Sequence, residues 1–300
     1  MSRTTSLVMV VISAACFGTL AVLAPLAYQA GAAPLPLLAW RFMFAAVLLA
    51  VFATIRDPRS LRVGGGDFLR YSALALTGYG AASVCFFFAL KFADAAVVAV
   101  LLYAYPALVT IAAWVFLGEK ATWSRGLAVL TTFFGCAMVV GLFGGVKHVS
   151  WPGIMLGMGA AVGYTLFNLL SHRWLPGRSQ LVMMTYTFGI ACVGAAVLTL
   201  LTGQSLSAAS WQPQIWWLLA AIVIVPTFVA VVLYLQGIRG LGPSQAAVVS
   251  TLEPLFTIAL AWAVLGQTLS WLQITGAALV LGGVVVSELA ARTTQPQPAV

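Results

Sequence analysis

Ten long apolar runs, separated by short polar loops, constrain the fold of this chain more than any other feature of its sequence. A helix needs about 20 apolar residues to cross the hydrocarbon core of a bilayer. The runs have that length and are apolar on all sides, without the two-residue alternation of a membrane β-strand. We therefore predict an all-α integral membrane protein with ten transmembrane helices, numbered here as spans 1 to 10. The predicted spans are 5–28, 34–54, 68–91, 95–116, 123–142, 151–174, 180–201, 214–237, 243–264 and 271–290.

The composition indicates that lipid surrounds most of the protein. Hydrophobic residues make up 62% of the chain and charged residues only 7%, whereas an ordinary soluble domain is about 25% charged. The net charge of +8 comes from basic residues in short loops, a pattern typical of membrane topology rather than of a nucleic-acid interface. The four cysteines lie inside apolar runs and form no C-x-x-C motif, so we predict no metal, cofactor or disulfide framework.

The basic residues of the loops predict the orientation. If the N-terminus is cytoplasmic, the cytoplasmic loops hold eleven basic residues and the opposite loops hold only Lys91 and Lys147. The eleven are Arg3, Arg56, Arg59, Arg62, Arg70, Lys120, Arg125, Arg173, Arg178, Arg239 and Arg292. Because cytoplasmic loops of membrane proteins are enriched in lysine and arginine, we expect both termini in the cytoplasm and the chain in the plasma membrane (the inner membrane of a bacterium).

An internal repeat relates the two halves of the chain. The segment YPALVTIAAWVFLGEKATW ends at Trp123, and the segment EPLFTIALAWAVLGQTLSW ends at Trp271. A shift of 148 residues superimposes Pro106 on Pro254, Trp114 on Trp262, Leu117-Gly118 on Leu265-Gly266, and Gly135 on Gly283. A shift of 146 residues superimposes Thr19-Leu20 of span 1 on Thr165-Leu166 of span 6. Span 1 therefore has a counterpart in span 6 and is a retained helix rather than a cleaved signal peptide.

The second repeat is expected to be inverted in the membrane, because each half has five spans. The charges agree, since Lys120 and Arg125 follow the first motif whereas the second is followed by Gln267, Thr268 and Ser270. We predict a first repeat over 1–145 (spans 1–5), a second, inverted repeat over 146–292 (spans 6–10) and a disordered tail over 293–300. Inverted repeats of this kind recur in secondary transporters.

The sequence resembles the EamA-type, ten-helix exporters of the drug/metabolite transporter superfamily over nearly its whole length. The resemblance rests on Ala14–Leu20, Trp40-Arg41-Phe42, the stretch from Pro106 to Glu119, and its counterpart from Glu253 to Gly266. It departs at Gln267, where the family usually has glutamate. The resemblance implies a central cavity lined by spans 1–4 and 6–9, with spans 5 and 10 peripheral. Within the superfamily the chain looks most like the YddG-type exporters of aromatic and other neutral amino acids.

Two charged residues inside the apolar spans are candidates for function. Glu253 lies in span 9, where a charge costs roughly 3 kcal/mol on insertion scales. It could contact a substrate amine or relay protons, or it could be a hydrogen-bonded carboxyl that positions the helix break at Pro254. Arg41 lies in the outer third of span 2. It could bind a substrate carboxylate, pair with Glu253, or extend to the membrane interface.

Polar and aromatic residues of the expected cavity helices are candidate substrate contacts. Such side chains could stack on a small amphipathic solute and form hydrogen bonds with it, or they could serve only as hydrogen bonds between helices. The candidates are Tyr79, Ser83, Tyr103, Tyr164, Asn168, Tyr186, Ser250 and Glu253.

Helix-breaking residues at matching positions of the two halves are candidate hinges. Pro106 corresponds to Pro254, and Gly78 corresponds to Pro226 at the same shift of 148 residues. The alternative is the ordinary tolerance of proline in membrane helices.

These features predict a secondary transporter that exports amino acids by alternating access. We expect it to work as a monomer or homodimer and to have no nucleic-acid partner. No P-loop, H-E-x-x-H, G-x-S-x-G or intramembrane aspartate pair occurs, so direct ATP drive and membrane-embedded catalysis are not supported. A channel would require a pore loop or a ring built by oligomerisation, and the sequence indicates neither. A receptor subunit would usually carry an extramembrane interaction domain, and the sequence shows none. The main alternative substrate is a lipophilic cation or drug, since one cavity carboxylate would suit it equally well.

Overall fold

The computed structural model describes residues 2–59, 61–116, 123–139, 150–209, 211–241, 246 and 249–294. Within those residues the chain forms helices and no β-strand, as predicted. In this part of the chain, seven helices are long and apolar enough to cross a membrane, and shorter apolar helices cover Gly126–Val139, Glu253–Leu265 and Trp271–Val286. These three shorter helices lie at the predicted positions of spans 5, 9 and 10. The all-helical, multi-span membrane fold is therefore confirmed.

In the described residues, each predicted span coincides with one helix, with two helices in succession, or with two helices joined by a π-helical turn. The helices are Arg3–Gly18 and Leu20–Gln29 (span 1), Pro34–Arg56 (span 2), Gly65–Ala73, a π-helical turn Leu74–Tyr79 and Gly80–Phe92 (span 3), Ala95–Leu102 and Tyr105–Phe116 (span 4), Trp123–Val139 (span 5), Trp151–Trp174 (span 6), Gln180–Leu201 (span 7), Pro213–Val223, a π-helical turn Ile224–Val229 and Ala230–Leu241 (span 8), Glu253–Leu265 (span 9) and Trp271–Thr294 (span 10).

Some predictions lie outside the described residues. They are the end of span 5, the first residues of span 9, the Leu117-Gly118-Glu119 motif, the division between the repeats at 145/146, and most of the tail.

The packing of the spans has a two-fold pattern. Span 2 packs on span 7, and span 5 packs on span 10. Span 3 packs on span 6 as span 8 packs on span 1, and span 4 packs on span 6 as span 9 packs on span 1. Exchanging each span with the one five positions away leaves these pairings unchanged. The molecule thus contains two matching groups of helices, spans 1, 8 and 9 (the 1–8–9 group) and spans 3, 4 and 6 (the 3–4–6 group).

Several spans are interrupted near their middle. The predicted hinge residues Gly78 and Pro226 lie within the π-helical turns of spans 3 and 8. Pro106 and Pro254 are each the second residue of a helix that follows a two-residue turn, where a missing backbone N–H costs nothing. All four therefore occupy interruptions of the helices, while their role as hinges stays a prediction.

Span 1 has an interruption that the sequence analysis did not identify. Its two helices meet at Thr19, whose hydroxyl donates to the Cys16 carbonyl oxygen at 2.7 Å. A threonine hydroxyl bonded back to its own helix competes with the backbone ladder and bends the helix. Pro25 lies in the second of these helices. The counterpart span 6 is one continuous helix, so the repeats differ here.

Spans 5 and 10 form a peripheral pair with close backbone approach. A Cβ atom built on Gly135 would lie only 2.9 Å from the backbone nitrogen of Val280. One built on Gly276 would lie 2.8 Å from the Cβ atom of Met138. Membrane helices without a hydrophobic driving force associate through such small residues.

The Gly135 contact gives a prediction about stability. Gly135→Ala places a methyl group against span 10, and we expect a loss of about 1–3 kcal/mol in stability from overpacking. Gly126→Ala is the matched control, because a Cβ atom there meets nothing within 4 Å. Thermal unfolding in detergent should separate the two variants. Equal melting temperatures for both would contradict the packing described here.

Candidate functional site

A central cavity of about 270 Å³ lies between the two groups of helices. Its wall comes from spans 1–4 and 6–9 and from the loop residue Leu175, and no described residue of span 5 or 10 contributes to it. The lining side chains include Phe17, Arg41, Tyr79, Ser83, Phe86, Phe87, Tyr103, Tyr105, Tyr164, Phe167, Asn168, Ser171, Gln180, Tyr234, Ser250, Glu253 and Thr257. The arrangement is the one that the family resemblance implied.

Aromatic rings form a continuous wall on the 3–4–6 group. Tyr105 and Tyr164 meet edge to face at 4.9 Å between ring centroids. Tyr164 lies 5.9 Å from Phe167, and Phe167 lies 5.5 Å from Tyr79. Offset and edge-to-face contacts of this kind are favourable. They leave other ring surfaces available to an apolar group in the cavity.

Glu253 meets the 3–4–6 group through Tyr103. The Tyr103 hydroxyl lies 2.9 Å from the Ser250 carbonyl oxygen and 3.0 Å from Oε2 of Glu253. This hydroxyl has one proton to donate. An ionised Glu253 accepts that proton, whereas a protonated Glu253 donates to Tyr103 while Tyr103 donates to Ser250. The contact can therefore persist in both protonation states of the carboxyl.

Arg41 is buried in the wall, with 1% of its surface exposed. Its Nε donates to Thr227 Oγ1 at 3.0 Å and its Nη2 donates to the Tyr79 hydroxyl at 3.4 Å. The guanidinium carbon also lies 5.4 Å from the ring centroids of Phe42 and Phe87. Arg41 forms no ion pair with any described carboxylate. Two of the interpretations from sequence, extension to the interface and pairing with Glu253, are thus wrong, because neighbouring rings and hydroxyls hold the side chain inside.

The smaller polar candidates also lie on the cavity wall. Ser83 is 8% exposed. The side-chain amide of Asn168 donates to the Tyr164 carbonyl oxygen at 2.7 Å, which leaves the Asn168 side-chain oxygen as an acceptor. The Ser250 hydroxyl donates to the Ala246 carbonyl oxygen at 2.9 Å. The structure therefore brings seven of the eight candidates together, and their contact with substrate stays a prediction.

Tyr186 is the candidate that the structure places elsewhere. Its hydroxyl donates to the Leu61 carbonyl oxygen at 2.6 Å, and its ring packs on Phe68 and Tyr71. It fixes the loop between spans 2 and 3 onto span 7. The correction has a simple cause, since Tyr186 lies near the start of span 7, and Met183 and Met184 are the residues there that face the cavity.

Tyr105 is a cavity residue that the sequence analysis missed. The shift of 148 residues that superimposes Pro106 on Pro254 also superimposes Tyr105 on Glu253. Both precede a proline at a helix start, and both line the cavity. The repeat itself was therefore the signal. For Phe17, Phe86, Phe167 and Tyr234 no comparable signal exists, because phenylalanine and tyrosine are common throughout the apolar spans.

The two ends of the cavity differ. At one end the wall includes the half-buried residues Ser171, Leu175 and Gln180, where span 6 ends and span 7 begins. We call this the open end. At the opposite, closed end, the helix Leu20–Gln29 packs on Gly80–Phe92 and Ala95–Leu102.

Hydrogen bonds support the closed end. Tyr28 donates to the Phe87 carbonyl oxygen at 2.9 Å. The backbone N–H of Ala95 donates to Oε1 of Gln267 at 3.1 Å, so the residue that departs from the family pattern joins spans 9 and 10 to span 4. The two-fold pattern relates the contact between spans 1 and 3 to a contact between span 6 and helix Ala230–Leu241. In the described residues, span 6 and this helix pack less extensively than spans 1 and 3 do. The two-fold pattern is thus broken between the two ends.

The described part of the chain offers no evident metal site. No three or more His, Cys, Asp or Glu side chains come together there. The cavity instead provides a guanidinium, a carboxyl group, hydroxyls and aromatic rings, which is the chemistry of non-covalent recognition.

Comparisons with known proteins agree with this geometry. The model of the EamA-like transporter family matches twice, over residues 4–141 and 151–289. The chain is 27% identical over 285 residues to the uncharacterized transporter YcbK of Bacillus subtilis, covering 90% of this chain and 88% of that protein. It is 26% identical over 255 residues to the uncharacterized transporter YyaM of the same bacterium, covering 83% and 82% respectively. A solved crystal structure aligns over 98% of this chain and 100% of its own, with a TM-score of 0.67 and 20% identity, which shows the shared fold.

The difference between the two ends can be tested with thiol reagents. The four native cysteines are first replaced, and Gln180→Cys and Ala24→Cys are then compared in lipid nanodiscs. We expect a hydrophilic maleimide to label position 180 at the open end at least ten times faster than position 24, because Ala24 is 0% exposed within the closed end. Labelling at comparable rates would contradict the closed end.

Proposed function

The chain belongs to the EamA-like transporter family, and we propose that it exports small amphipathic metabolites, specifically neutral and aromatic amino acids, by alternating access. Membership of this family makes it an integral membrane transporter rather than an enzyme. The substrate and the direction of transport are the proposed parts. In this proposal the protein lies in the plasma membrane of its cell with both termini in the cytoplasm, and works as a monomer or homodimer.

One observation carries the choice of substrate: the cavity wall contains both a guanidinium and a carboxyl group that are not paired with each other. Arg41 has hydroxyl and ring neighbours, and Glu253 has Tyr103. A free amino acid has a carboxylate for the first group and an ammonium for the second. Its side chain could then lie against the rings of Tyr79, Tyr164 and Phe167.

The size of the cavity supports a small metabolite. Sites for drug-sized ligands occupy about 300–1,000 Å³, and this cavity of about 270 Å³ lies just below that range. A single amino acid with an aromatic side chain is a better match than a larger drug.

The difference between the two ends supports alternating access. Helices of the 1–8–9 group close one end by packing on the 3–4–6 group. If the two repeats exchange conformations, span 6 packs on span 8 and the open end closes while the other opens, as expected for inverted repeats. The basic residues Arg173 and Arg178 lie at the open end, so this conformation is cytoplasm-facing in our proposal.

A lipophilic cation is the second candidate substrate. Aromatic rings around a carboxyl group form a favourable site for a cation, and Glu253 has such rings nearby through Tyr103 and Tyr105. The buried guanidinium of Arg41 counts against this candidate, because it adds a like charge to the same cavity in a medium of low dielectric constant.

Counterflow in proteoliposomes tests the substrate class. Vesicles loaded with unlabelled substrate are offered labelled phenylalanine, methionine, leucine, glutamate and one lipophilic cation. We expect saturable uptake of the neutral amino acids and little uptake of glutamate or the cation. Uptake of the cation alone would assign the protein to the multidrug class and contradict the proposal.

Glu253→Gln tests whether the carboxyl group acts on the substrate. The amide has nearly the same shape and can still accept a hydrogen bond from Tyr103, so folding should be preserved. We expect counterflow at low substrate concentration to fall about tenfold or more, because a hydrogen bond to a charged group is worth about 1.5–3 kcal/mol. Wild-type rates in a monodisperse Glu253→Gln protein would instead assign Glu253 the structural role at Pro254.

A further inference from the structure

Arg41 connects the π-helical turns of spans 3 and 8, the two found in the described residues. Its Nε bonds Thr227 in the turn Ile224–Val229 of span 8, and its Nη2 bonds Tyr79 in the turn Leu74–Tyr79 of span 3. Spans 3 and 8 are counterparts in the two-fold pattern, and they belong to the 3–4–6 group and the 1–8–9 group respectively. One side chain of span 2 therefore joins the two groups across the cavity. We name this pair of hydrogen bonds the Arg41 bridge.

The guanidinium has donors that the protein does not use. Arginine carries five N–H donors, and Arg41 has hydrogen bonds from Nε and Nη2 alone, with none from Nη1 to any described acceptor. Phe42 and Phe87 offer it only ring surfaces. A buried cation with unused donors is costly unless an acceptor is supplied. Because Arg41 borders the cavity, a bound molecule can supply that acceptor.

We propose that the substrate carboxylate binds the unused donors of Arg41 and weakens the Arg41 bridge, so that binding releases the two π-helical turns from each other. This inference rests on the proposed function. A carboxylate matches the planar fork of a guanidinium with two parallel hydrogen bonds. These bonds replace the ones that Arg41 makes to the Thr227 and Tyr79 hydroxyls. A ligand shifts a conformational equilibrium by its differential interaction with the two states, and here the difference is a substitute partner for Arg41.

The two π-helical turns are suited to this role. A π-helical turn contains an extra residue within an α-helix and is frequent at functional sites. Each turn lies in the middle of its span, and each provides one hydroxyl to the Arg41 bridge. Without substrate, opening the closed end must break these bonds with no replacement. The empty transporter should therefore reorient more slowly than the loaded one, and exchange should be faster than net transport.

Thr227 allows the bridge to be changed without touching the substrate. It is 0% exposed and is not part of the cavity wall. Its hydroxyl accepts from Arg41 and donates to the Ile222 carbonyl oxygen at 2.8 Å. Thr227→Val keeps the shape and removes the acceptor. Thr199→Val is the matched control, because Thr199 is also 0% exposed and donates to its own helix, at the Ala195 carbonyl oxygen, but has no contact with Arg41.

The experiment compares two fluxes of labelled phenylalanine in proteoliposomes, counterflow exchange and net efflux into substrate-free buffer. We expect Thr227→Val to raise the ratio of net efflux to exchange about tenfold or more, the scale of one hydrogen bond to a charged group. The KM for exchange should change less than twofold. Thr199→Val should leave the ratio unchanged, and Thr227→Ser, which keeps the hydroxyl, should restore it.

Arg41→Lys provides a second variant if Thr227→Val is poorly folded. A lysine ammonium can attract a carboxylate but lacks the Nε donor to Thr227, so the ratio should rise although affinity falls. An unchanged ratio in the folded variants, or a parallel fall of both fluxes, would overturn the coupling role of the Arg41 bridge. Absence of saturable phenylalanine counterflow in the wild type would contradict the proposed function itself, and this inference with it.

Discussion

The hydrocarbon core of the membrane requires every backbone polar group and every charge of this chain to find a partner inside the protein. Continuous helical segments meet that requirement along most of each span. The interruptions described here occur in spans 1, 3, 4, 8 and 9, each of which contributes residues to the cavity wall: at Thr19, in the two π-helical turns, and just before the helices that begin at Tyr105 and Glu253. Unpaired backbone groups are tolerated there because other helices, hydroxyls or water in a cavity can satisfy them. The interruptions therefore belong to spans that line the cavity.

The two charged groups of the cavity follow from the same constraint. Glu253 reaches Tyr103 of the opposite group of helices, and Arg41 reaches hydroxyls on both groups. Arg41 and Glu253 do not form an ion pair with each other, so each can bind a ligand group of opposite charge. Because both contacts cross between the 1–8–9 group and the 3–4–6 group, a ligand that binds these side chains also acts on the interface that must change during transport. Recognition and movement are thereby linked through the same few side chains.

Much of this architecture could be predicted from the sequence. Length and hydropathy predicted the spans, and three prolines together with Gly78 predicted four interruptions, because apolar runs and helix-breaking residues have direct structural consequences. The positions of individual side chains were harder to predict. Tyr186 was wrongly assigned to the cavity, and Arg41 was wrongly allowed to reach the interface or Glu253, because helix rotation depends on packing between distant spans rather than on local pattern. Pro226 indicated an interruption beside Thr227, but no sequence pattern indicated that the Thr227 and Tyr79 hydroxyls both bind Arg41, so the Arg41 bridge could be found only in the structure.

We propose that the cavity recognises both ends of a free amino acid. The most direct measurement is inhibition of phenylalanine counterflow by three related molecules: phenylalanine, 2-phenylethylamine, which lacks the carboxylate, and 3-phenylpropionate, which lacks the ammonium. We expect unlabelled phenylalanine to inhibit at a concentration at least about tenfold lower than either analogue, because each analogue leaves Arg41 or Glu253 without its partner. Equal inhibition by 2-phenylethylamine and phenylalanine would show that the carboxylate is not recognised and would contradict the account.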